Sequence, residues 1–130
     1  MDILFLLGRV LFGGYFVFNA INHFTKSGAL VAYASSKGVP QPKLAVFVSG
    51  VLLAFGGLGV MFGVLIPYAL AALAVFLVVV SFKMHNYWSG DVDPGQKMAD
   101  MVNFTKNMAL LGAVLMMFGL PEYDWVYRLF

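Results

Sequence analysis

Apolar residues run almost unbroken from Ile3 to Phe24, and polar groups gather only at the end of that run, in FNAINHFTK (Phe18–Lys26). Three further apolar stretches follow. The pattern predicts four membrane-spanning helices over about 3–23, 44–63, 67–84 and 98–120. At 1.5 Å per residue the first covers about 32 Å, enough to cross a hydrocarbon core of about 30 Å. Pro42 and Pro67 stand where a helix begins and a missing N–H does no harm, while Gly119 and Pro121 close the fourth. The expected fold is all-α: an integral membrane, antiparallel four-helix bundle occupying one domain, 1–130.

The connections differ in kind. VLIP (Val64–Pro67) leaves room only for a tight antiparallel hairpin between the second and third spans. The longer piece TKSGALVAYASSKGVPQP has a mildly apolar centre, Ala29–Ala34, suited to lying along the membrane surface. NYWSGDVDPGQ is turn-rich, with Tyr87 and Trp88 fit for the headgroup level, and the aromatic tail EYDWVYRLF returns toward the interface.

Composition agrees with a lipid solvent: 62% of the 130 residues are hydrophobic and 11% are charged. A soluble chain this short could not cover so much apolar surface. A net charge of +2 with dispersed Lys argues against nucleic acid as a partner. Without Cys there is no thiol–disulfide chemistry and no iron–sulfur ligation. Ile3–Phe24 lacks a basic start and a small-residue cleavage signature, so it reads as a retained helix. Lys26, Lys37, Lys43 and Lys97 fall on the long-loop face with Lys83 close by. The positive-inside bias therefore places the long loops in the cytoplasm and both termini outside.

The candidate chemistry sits at the helix ends. Asn19, Asn22, His23 and Lys26 share one helical stripe. The third span ends in SFKMHNYW, with Lys83, His85 and Asn86. The fourth opens with MADMVNFTKN, where Asn103, Lys106 and Asn107 share a face and Asp100 lies a turn earlier. Polar groups at this depth should point inward, because facing lipid costs several kcal/mol. Three readings stand. The commonest arrangement is interhelical glue, each polar group bonding a neighbouring helix. The second is a ligand site formed by His23, His85, Lys106, Asn107, Asn103, Asn19 and Asn22, suited to a quinone or another small amphiphile. The third, and weakest, is haem held between His23 and His85, which no spacing motif supports.

All six acidic residues (Asp2, Asp91, Asp93, Asp100, Glu122, Asp124) fall in loops, tails or helix ends. No buried carboxylate is expected, which argues against a proton pump or cation carrier and leaves too few ligands for a metal. Arg9 lies well inside the first span, either snorkelling or pairing with Glu122 or Asp124. Small residues suggest close packing: Ser49, Gly56 and Gly63 at sevenfold spacing, Gly59–Gly63, and Ala109–Ala113 with Gly112.

GRVLFGGYFVFNAINHF, Gly38-Val39-Pro40, GVLLAFGGLGVMFG, KMHNYW and NFTKNMALLGAVLMMFG together resemble the DoxX family, over Gly8 to Gly119. The resemblance implies a four-helix integral membrane protein, associated in some members with quinone-linked oxidation of thiosulfate or with membrane oxidoreductase complexes. Many relatives carry Glu at the position of Leu53, which favours an accessory role here over a catalytic one. The expected function is thus a non-catalytic subunit of a membrane complex, partnered with other proteins or with copies of itself. The alternative is a component that binds a quinone or small amphiphile in its own right. A small-solute transporter is the least favoured reading.

Overall fold

In the computed structural model, which describes residues 2–90, 93–121, 125 and 127, five helices follow one another. They are α1 (Asp2–Thr25), α2 (Ser27–Ser36), α3 (Pro42–Phe62), α4 (Ile66–Met84) and α5 (Pro94–Phe118). The long four, α1, α3, α4 and α5, are each apolar and long enough to cross a membrane. They pack in sequence, α1 on α3, α3 on α4, and α4 on α5, whereas α1 and α5 do not form a close pair. The bundle is a ring with one loose seam.

Local chemistry sets the boundaries. α3 ends at Gly63, whose φ of +68° is the left-handed C-cap that glycine adopts without strain. Val64 N–H then donates back to the Gly59 carbonyl at 2.9 Å, and the chain turns directly into α4. α5 starts four residues before the expected 98, because Asp93 caps it: the carboxylate accepts from Gln96 N–H at 3.0 Å, with Pro94 behind it. The expected surface segment is a true helix, α2, but it leans on α3 and touches α1. It lies over one end of the bundle.

Glycine decides where helices touch. A Cβ on Gly57 of α3 would stand 2.8 Å from the Gly13 carbonyl oxygen of α1, so these backbones meet directly. A Cβ on Gly56 would fall on the Leu73 side chain, and one on Gly59 on Ala69, which fixes α3 against α4. One expectation fails here: a Cβ on Gly112 would meet nothing, with Ala109 beside it exposed. That face of α5 looks outward.

Phe16, Leu53, Val60, Leu70, Leu73, Leu77 and Val114 form the buried centre. Leu11, Tyr68, Val79 and Met116 are among many large apolar side chains left outside, as a lipid solvent permits. Arg9 does not snorkel. It is 2% exposed and caps α3: Nε donates to the Val60 carbonyl at 3.1 Å and Nη2 to that of Met61 at 3.0 Å. Those carbonyls are the orphans of a helix C-terminus, where a cation is also favoured by the dipole. Phe5 and Trp125 flank the guanidinium, at 5.9 and 5.5 Å to the ring centroids. The expected partners Glu122 and Asp124 lie outside the described residues.

Candidate functional site

At the end of the bundle opposite Arg9, the helix ends converge around a cleft of about 560 Å³. α1 contributes Asn19 and His23, α5 contributes Asn103, Lys106 and Asn107, and His85 closes the end of α4. Leu53, Phe76, Leu77 and Val80 supply an apolar floor, with Lys83 and Ser49 also at the wall. Six of the seven residues expected from the sequence line this cleft. Asn22 does not.

The hydrogen bonds within the cluster are mostly local. Asn19 Nδ2 donates to the Tyr15 carbonyl at 2.8 Å, and His23 Nδ1 donates to the Asn19 carbonyl at 2.8 Å. Lys106 Nζ donates to Asn103 Oδ1 at 3.3 Å and stands 5.5 Å from the Tyr15 ring centroid, across the seam. Asn107 is 5% exposed, and its amide makes no side-chain hydrogen bond among the described residues. Glue would have bonded each of these groups to a neighbouring helix. Instead most satisfy themselves within their own turn and leave capacity facing the cleft.

Beneath His85 lies a feature the sequence reading missed. Asp100 is buried, 1% exposed, against the expectation of no buried carboxylate. Its Oδ2 accepts from Lys37 Nζ at 2.8 Å. Its Oδ1 accepts from Gln96 Nε2 at 3.0 Å, from the Tyr33 hydroxyl at 3.2 Å and from His85 Nδ1 at 3.4 Å. Four donors match the roughly four lone-pair sites of an ionised carboxylate, so the buried charge is fully satisfied. Lys37 and Tyr33 come from α2 and its C-cap, so the network fastens α2 across the bundle end to α5. Asp100 lies inside α5 rather than at its frayed end because Asp93 starts that helix early.

Burial holds the His85 imidazole below its ordinary value, with Lys106 and Lys37 adding to the effect and Asp100 opposing it. Burial and the Asp100 charge together push the Tyr33 phenol above its ordinary value. His85 is therefore neutral near pH 7, and Tyr33 remains a donor. Among the described residues, no group of three His, Asp or Glu could hold a metal ion.

Tyr15 and Lys106 flank the loose seam, and the cleft behind them is open on one side. Leu53, where the family resemblance implies Glu in relatives, lies fully buried at the floor. The chain carries an apolar wall at that depth, and its polar chemistry comes from the helix ends.

No curated protein and no solved structure matches the chain. The DoxX family model matches residues 4–86, from α1 through α4 to the edge of the His85 turn. With four membrane-length apolar helices and that match over more than half its length, the chain is a multi-pass membrane protein belonging to the DoxX family.

Proposed function

We propose that this protein binds a small amphiphile of the quinone class, its ring between α1 and α5 and its tail toward lipid. One observation carries the reading: Asn107, almost wholly buried and without a hydrogen-bond partner among the described residues, lies at the wall of a cleft that His85 and Lys106 also line. Its amide lines the cleft with hydrogen-bonding capacity unspent, so a ligand's polar head can bond it there. The apolar floor suits a ring and chain, and about 560 Å³ falls in the usual range of small-molecule sites. The family resemblance supports placing such a cleft in a quinone-linked membrane complex, where the chain holds the small molecule and performs no catalysis itself.

The test is thermal unfolding of the purified protein in detergent with a short-chain quinone added, in its oxidised and in its reduced form. At 100 times Kd the wild type should gain about 2.7 kcal/mol. Asn107→Leu should remove that gain while remaining folded, because it exchanges an unpaired amide for an apolar side chain of similar size. If Asn107→Leu responds to the quinone as the wild type does, the reading falls.

A further inference from the structure

The hydrogen bonds around the cleft also fix which of its groups donate and which accept, and so describe the ligand's head. His23 Nδ1 lies 2.8 Å from a main-chain carbonyl, which can only accept, so that nitrogen carries the proton. Asp100 is saturated by donors and accepts from His85 Nδ1, so that nitrogen is protonated too. At a pH above the ordinary imidazole range a histidine carries one N–H. In each histidine, Nε2 is then a bare acceptor, and neither Nε2 has a hydrogen-bond partner among the described residues. Asn19 commits one Nδ2 hydrogen to the Tyr15 carbonyl, which leaves Oδ1 and the second hydrogen open.

Lys106 has the opposite character: it bonds Asn103 Oδ1, and its ammonium can only donate. The two imidazoles thus offer acceptors, and Lys106 offers donors.

Resting on the binding reading above, we infer that the cleft selects a head whose hydroxyl donates its O–H to an imidazole Nε2, that of His23 foremost, and accepts from Lys106. That is the pattern of a phenol or hydroquinone ring. A quinone offers only carbonyl acceptors and would leave both imidazoles unpaired. Where a site is built to bond a hydroxyl, an analogue without it is rejected because the protein's own polar groups lose their partner.

The probes are 4-octylphenol and its methyl ether, 4-octylanisole, which share ring and chain and differ by the single O–H. Binding to the full chain in detergent is measured calorimetrically at about pH 8, above the ordinary imidazole range. The phenol should bind at least about tenfold more tightly than the ether. His23→Phe, whose only side-chain hydrogen bond lies in its own turn, should weaken the phenol and leave the ether unchanged. A loss of packing would weaken both. Equal affinities for the two probes in the wild type would overturn the hydroxyl preference and leave the cleft as a binding site. If neither probe binds, the cleft reading falls and takes this inference with it.

Discussion

Lys37 and Asp100 lie 63 residues apart in the chain and 2.8 Å apart in the fold, with the carboxylate fully buried and the ammonium mostly so. The pair ties α2, otherwise a short helix resting on α3, to the first turns of α5. A buried ion pair adds little beyond what apolar residues could give, but removing one partner strands the other charge.

Asp100→Ala should therefore cost about 3–5 kcal/mol in detergent unfolding, and Lys37→Met a comparable amount. The double variant should lose much less than the sum of the two. Additive losses would mean that the charges do not depend on each other.

Glycine packing gives a graded test. Gly57→Ala brings a methyl against the Gly13 carbonyl, and Gly56→Leu drives into Leu73, so each should cost about 1–3 kcal/mol through overpacking. Gly112→Ala meets open space and should be neutral or slightly stabilising, since alanine favours the helix by up to about 1 kcal/mol. Thermal midpoints of the three variants check the order.

Arg9 serves α3 through geometry as much as charge. Arg9→Lys keeps the cation but loses the planar fork that reaches the Val60 and Met61 carbonyls together. It should destabilise by about 1–3 kcal/mol, and Arg9→Gln by more. Equal stability of Arg9→Lys and wild type in chemical unfolding would leave charge alone as the contribution.

His85 sets a pH dependence whose sign follows from its environment. Burial, Lys106 and Lys37 disfavour the protonated ring and Asp100 favours it, with a net lowering in the folded state. The unfolded chain takes up the proton near the ordinary value of about 6.5 while the folded chain resists. Protons thus favour unfolding. The stability held by neutral His85 is complete above about pH 6.5 and lost as the pH falls toward the folded value. Thermal midpoints should decline between about pH 7.5 and 5.5, and His85→Phe should flatten that decline.

The four spans were legible because lipid leaves no choice: an apolar helix of that length with so few charges has nowhere else to lie. The cleft was legible in part, since polar residues at the ends of three helices share a depth once the spans are drawn. Asp100 was not. In MADMVNF it reads as an exposed acid at a helix start, and its partners Tyr33 and Lys37 sit in a connector whose path only tertiary packing decides. Asp93-Pro94 is a cap signal that would have lengthened α5 and drawn Asp100 inside. The role of Arg9 was hidden for a related reason, because its partners are backbone carbonyls, which no sequence pattern marks.

The loose seam between α1 and α5 changes what an affinity means for this protein. A tailed ligand arriving sideways through the leaflet has already left water, and its concentration at the cleft is set by partitioning. Each methylene enriches it in the bilayer by about 0.8 kcal/mol, so two more carbons raise apparent affinity from water about fifteenfold with no new contact to the chain. Tail length is then sorted by the membrane, and only the few atoms of the head are left for the protein to tell one molecule from another.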